Sequence, residues 1–336
     1  MLEKNTTRFV VLFGLTLALL VPIAAGQPVS PLTLDNGVRK IHILPTLESR
    51  SQFAAAAVDV GPLLYGGGPV MLTAKSFAIF WIPAALQTGA AASMTQRYQQ
   101  IVKNFFTDYP GHGIANNNTQ YSQTVNLKPT YIKNSGSFGG FFVDTAPYPT
   151  SGCNDTATPG NCITDGQIQA EIDRIMTLQG WVGGLGNAFF MFTSSGEGSC
   201  FDSGSTSCAF IDYCAYHGFF VNSAAADVIY ANMPFGDAAC QPPGTPSPNN
   251  NPAADAVVDN ASHELTEVIT DPLLNAWSTK LGNEIGDLCG TSYGTPTWTT
   301  QTTQTLVSAN QSWNTHFYEL QEEFDNHTGT CVQLGP

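Results

Sequence analysis

Residues 251–272, NPAADAVVDNASHELTEVITDP, constrain the fold more than any other part of the chain. Asn251 suits an N-cap, Pro252 the first helical position and Asp255 the positive end of the helix dipole. Val258, Ala261, Leu265 and Val268 recur at helical spacing, and Asp271–Pro272 must end the helix, because the residue before proline is steered away from helical backbone. A helix with such a stripe has to lie on a core. His263 and Glu267 fall opposite the stripe, four residues apart and therefore on one face. That face is expected either to be solvated or to gather its side chains around an ion.

The remaining pattern supplies what such a helix would pack on. Residues 75–82 read as an apolar, aromatic strand buried on both faces. Residues 92–109 follow as an amphipathic helix with Met94, Tyr98, Ile101, Phe105 and Phe106 on one stripe. A strand within GSFGGFFVDTA, a helix over 165–181 and strands in NAFFMFTS, YCAYHGFFV and ADVIYANMP come next. QPPGTPSPNNNP reads as a surface connection, and Glu319, Glu322 and Glu323 as a solvated helix face near the end. The expected fold is a single α/β or α+β domain over 61–336, with helices packed on a mixed β-sheet and disulfides stabilising it. Residues 27–60 show little pattern and are expected to be an N-terminal segment, propeptide-like or extended.

Residues 1–26 have the layout of a cleavable signal peptide: Lys4 and Arg8, an apolar run, then Pro22, Ala24, Ala25 and Gly26. A secreted, extracellular protein, free of the membrane once the signal is cleaved, is expected. The eight cysteines fit that compartment: an even count reads as disulfides, and no Cys-x-x-Cys pair argues for a zinc ribbon. Cys153–Cys162 would close a short loop and Cys289–Cys331 would tie down the tail; the other pairings stay open. Lys and Arg number 12 against 26 Asp and Glu, a net charge of −14. Nucleic acid is excluded as a partner, since phosphate binding needs clustered positive charge, and so is attraction to anionic membranes.

The chemistry concentrates in SHELTEVITDP. His263 and Glu267 can reach one ion together, with Glu264 beside them as the base that activates water, the arrangement of His-Glu-x-x-His zinc hydrolases with a carboxylate in the second ligand position. A third ligand is expected from GNEIGDLCG, where Glu284 stands 17 residues after Glu267 and Asp287 follows one turn later to orient a ligand. Zn²⁺ is the expected ion, with Mn, Fe or Ca made accessible by the carboxylate donors. His217, in DYCAYHGFF, is a candidate hydrogen-bond donor to a developing oxyanion, or a structural histidine beside a cysteine. No Gly-x-Ser-x-Gly elbow and no phosphate-loop ending occurs.

HELTEVITD followed by NEIGD resembles the thermolysin-like, gluzincin-type metal motif over these segments alone, which implies a zincin-like domain and a peptide or protein substrate. More broadly, the order YGGGPVM, CAYHG and SHELTEVITDPLLNAW…NEIGDLCG is similar to the phosphate-induced protein 1, or EXORDIUM-like, family over roughly residues 60–331. Plant members often lack the His-Glu-x-x-Glu residues. That resemblance implies the alternative: a non-catalytic extracellular protein acting on cell-wall material or in signalling, with the same residues as a structural ion site.

Overall fold

Period-two alternation along the strands sorts their side chains into two layers, and the helices follow. The computed structural model describes residues 32–50, 61–150, 152–236, 238–242, 247–295, 298–302 and 305–336; the expected signal peptide lies outside them. Seven strands form the main sheet: β1 (Thr33–Asp35), β2 (Lys40–Pro45), β3 (Lys75–Trp81), β4 (Ser137–Asp144), β5 (Asn187–Thr193), β6 (Tyr213–Val221) and β7 (Asp227–Met233). Their order is β1-β2-β6-β7-β5-β3-β4. The β1–β2, β2–β6 and β6–β7 pairs are antiparallel, and β7–β5, β5–β3 and β3–β4 are parallel.

Three longer helices cover the sheet: α1 (Gln96–Asp108), α2 (Asp165–Gln179) and α3 (Pro252–Thr270). Ile41, Ile43, Phe77, Ile79, Phe189 and Met191 point to one face, where Ile168, Ile172 and Ile175 of α2 meet them. Leu44, Ala78, Phe80, Phe190 and Phe192 point to the other and pack with Phe105 and Phe106 of α1 and Val258, Leu265 and Val268 of α3. The molecule is thus a mixed α/β structure with a large mixed sheet between helical layers. Cysteine pairs Cys153–Cys162, Cys200–Cys208, Cys214–Cys240 and Cys289–Cys331 close four disulfides, which include both expected pairs. Among the described residues no helix is long and apolar enough to cross a membrane.

Two expectations are corrected. Residues 27–60 show little pattern and the domain is expected to begin at residue 61, yet β2 lies inside the sheet between β1 and β6. Its six residues are too few to stand out from sequence, although Ile41, His42, Ile43 and Leu44 are all buried. The second correction concerns Glu319, Glu322 and Glu323, and of the two alternatives for the polar face of α3 the solvated one falls as well. Every residue of α3 from Ala254 to Thr270 is buried, so its polar face is not solvated. The C-terminal segment covers it: the Asp259 carboxylate accepts from Gln321 N at 2.7 Å and from the Tyr293 hydroxyl at 2.8 Å. In that segment Glu319 and Glu323 are buried as well, in short strands and turns rather than on an exposed helix.

Candidate metal centre

Two cross-strand neighbours open the site. In the β2–β6 pairing His42 stands opposite His217, and the ring centroids are 5.6 Å apart. A register shift between Tyr213 and Ala215 puts Tyr213 and Tyr216 on the α2 side and leaves His217 facing α3. There α3 presents His263, Glu264 and Glu267 from adjacent turns. Its start is as the sequence implies, with Asn251 Oδ1 accepting from Ala254 N at 3.3 Å and Pro252 at the first position. Its end is held by Asp271, whose Oδ1 accepts from Asn275 N at 2.5 Å and Ala276 N at 2.6 Å. The chain then returns through residues 283–289, bringing Glu284 and Asp287 to the same point.

Three features fix that return. Glu284 N donates to Asp287 Oδ2 at 2.7 Å, Gln321 Nε2 donates to the Gly286 carbonyl at 2.9 Å, and Cys289 is tied to Cys331. Gly286 lies so close to α3 that a Cβ there would sit 2.5 Å from His263 Nδ1.

The side chains then form one cluster. His217 Nε2 is 3.5 Å from Glu267 Oε2 and 3.5 Å from Glu284 Oε2. His263 Nε2 is 3.0 Å from Glu267 Oε1 and 3.8 Å from Asp287 Oδ1. His42 Nε2 donates to Asp287 Oδ2 at 2.8 Å; its Nδ1 is 3.0 Å from Thr33 Oγ1 and 3.6 Å from Glu284 Oε1. These six side chains are at most 3% exposed, and Glu264 is 0% exposed. Ten polar atoms here lack a hydrogen-bond partner: both ring nitrogens of His217 and His263, both oxygens of Glu264 and Glu267, Glu284 Oε2 and Asp287 Oδ1.

The electrostatics are those of charges confined together. Burial pulls His42 down, but Asp287 and Glu284 outweigh it and hold the ring up at about 9. His217 is also raised, burial being outweighed by Glu267 and Glu264. Burial pushes Glu267 up, but His263 and His217 prevail and hold it below the usual carboxylate range. Glu264 and Glu284 are raised, first by burial and then by neighbouring carboxylates. Unpaired polar atoms in the interior are costly, about 1–3 kcal/mol each and more for charged groups. Lone pairs of imidazoles and carboxylates converging with no well-formed hydrogen bond among these ten atoms are what a divalent cation can satisfy. Donors about 2.1 Å from a tetrahedral ion are themselves about 3.4 Å apart, close to the two 3.5 Å separations around His217.

The five residues read from the motif, His263, Glu264, Glu267, Glu284 and Asp287, therefore come together. The partition among them differs from the expected one. The imidazole that meets Glu267 and Glu284 at once is His217, while His263 meets Glu267 and Asp287. Within this cluster, three-residue groups with ligand atoms within 4.8 Å of one another include His217, Glu267, Glu284 and His42, Glu267, Asp287. His42 escaped the sequence reading; its one signal was a histidine alternating with apolar residues in KIHILP. His112 stacks on Trp313 and His316 bonds Asp108 at 2.7 Å, away from the cluster. The chain matches no protein-family model, no curated protein and no solved structure.

Proposed function

We propose that the chain is a secreted metal-dependent hydrolase, a zinc metallopeptidase by its motif, with a zincin-like centre. The observation that carries this reading is the convergence of Glu267 and Glu284 on His217 Nε2, each at 3.5 Å, with unpartnered, buried donor atoms. His263 and Asp287 complete the donor set. A divalent ion held there would supply Lewis acidity and lower the pKa of water. Glu264, buried beside these donors with both carboxylate oxygens lacking a hydrogen-bond partner, would be the group to take a proton from water and return it to a leaving amine. Histidine donors favour Zn²⁺, and the carboxylates keep Mn and Fe accessible. Four disulfides support an extracellular location.

A second reading has its own observation. Cluster side chains are at most 3% exposed, and hydrolysis needs a path from solvent to Glu264 whereas a structural ion needs none. That burial favours an EXORDIUM-like extracellular protein whose ion holds the C-terminal segment to the sheet.

The two readings separate in one experiment. The mature protein is analysed for metal and assayed against an unfolded protein, alongside Glu264→Gln. The hydrolase reading expects bound transition metal in both proteins and a loss of hydrolysis of 100-fold or more in the variant. Metal with no hydrolysis by the parent leaves the structural reading, and unchanged hydrolysis in Glu264→Gln removes the base assignment.

A further inference from the structure

We propose that this centre holds two transition-metal ions bridged by Glu267, one between His217 and Glu284 and the other between His42 and Asp287 with His263 beside it. The inference rests on reading the cluster as a metal centre and goes beyond it in number, bridge and ligand set.

The geometry divides the cluster in two. The trios His217, Glu267, Glu284 and His42, Glu267, Asp287 share only Glu267. The oxygens of Glu267 face different imidazoles: Oε2 is 3.5 Å from His217 Nε2 and Oε1 is 3.0 Å from His263 Nε2. Glu284 and Asp287 are split in the same manner. Glu284 turns Oε2 to His217 and Oε1 to His42, and Asp287 turns Oδ2 to His42 and Oδ1 to His263. Unpartnered atoms occur on both sides of the bridge: His217 Nε2, Glu267 Oε2 and Glu284 Oε2 on one, His263 Nε2, Glu267 Oε1 and Asp287 Oδ1 on the other. A single ion satisfies one of these sets; in the second, His263 Nε2 and Glu267 Oε1 are left 3.0 Å apart with only each other, and Asp287 Oδ1 is left without a partner.

Charge points the same way. Glu264, Glu267, Glu284 and Asp287 are four carboxylates within one buried cluster. One dication offsets two of them, and two dications offset all four with neutral imidazoles as donors. Carboxylate-bridged pairs of ions stand about 3.5–4 Å apart, a span that fits within the 5.6 Å between the His42 and His217 rings. Mixed imidazole and carboxylate donors select Zn, Mn or Fe over Ca.

The test is a titration of the full, chelator-treated chain with Mn²⁺, followed by elemental analysis and electron paramagnetic resonance. Two equivalents should bind, and the six-line signal of an isolated ion should collapse as the second equivalent enters. His217→Ala and His42→Ala should each bind one equivalent and restore the six-line signal. One equivalent in the parent chain overturns the pair and leaves a one-ion centre standing. Two equivalents that keep isolated-ion spectra overturn the bridge. Failure to bind either Mn²⁺ or Zn²⁺ overturns the metal centre altogether. Should either histidine variant fail to fold, the parent titration decides alone.

Discussion

At the scale of single residues, Gly286 controls the centre without contributing a donor. Its backbone is ordinary, with φ near −76°, so the requirement is space rather than a left-handed conformation. A methyl group there would meet the His263 ring at 2.5 Å from Nδ1, 2.7 Å from Cε1 and 2.9 Å from Cγ. Either the ring or the 283–289 return has to move, and both carry donor groups. Gly286→Ala is expected to weaken metal binding by at least tenfold and to cost about 1–3 kcal/mol of stability, as overpacking does. Metal titration and denaturant unfolding check it, and a variant with parent affinity would show that the close approach is unimportant. The motif residues were legible because helical spacing and a short downstream return are local facts. His42 was not, because its place depends on pairing with His217, a strand far away in the chain, and register of that kind leaves no mark near the residue.

At the scale of elements, the centre is assembled from two strands, a helix and a return segment, and the regular structure of the return is a single 3-10 turn, Asp287–Cys289. Cys289–Cys331 anchors it to the tail strand Thr330–Val332, which pairs with Glu323–Asp325. Replacing both cysteines by serine removes that anchor beside Asp287. The expected result is a stability loss of about 2–5 kcal/mol together with weaker metal binding. The matched control, Cys153→Ser with Cys162→Ser, removes the disulfide that ties the loop before α2 to the short strand Cys162–Thr164 and should lower stability without touching affinity. Equal affinity in both pairs, measured by competition with a chelator, would sink the anchoring role. α1, α2 and α3 and the long strands were all readable from periodicity and caps. The burial of the polar face of α3 was not, since it depends on Asp259 meeting Gln321 and Tyr293 from a segment whose Thr-rich polarity reads as surface.

At the scale of the whole molecule, a chain of net charge −14 also buries carboxylates that are not among the proposed ligands, and this sets how its stability follows pH. Glu197 is 0% exposed, has one oxygen bonded to Gln87 Nε2 at 2.9 Å and the other without a partner, and is pushed up by burial to about 8. Burial likewise raises Asp165 to about 6, against the hydrogen bonds from Tyr230 and Tyr216, and Glu319 to about 7. A carboxyl raised on folding binds more protons in the native state than in the unfolded chain between its two pKa values. Stability therefore falls as pH rises from about 4 through about 8, and these groups favour the fold most in acid. Glu197→Gln removes one titrating group while keeping an acceptor for Gln87. It should flatten the slope between about pH 4.5 and 8 and raise stability at pH 8 by about 4 kcal/mol, while leaving stability at pH 4 nearly unchanged. Urea unfolding at pH 4, 6 and 8, in chelator so that metal binding does not contribute, measures this. A variant whose unfolding free energy keeps the parent slope would mean that Glu197 is ionised in the native protein at neutral pH, with a counter-charge or water reaching its second oxygen.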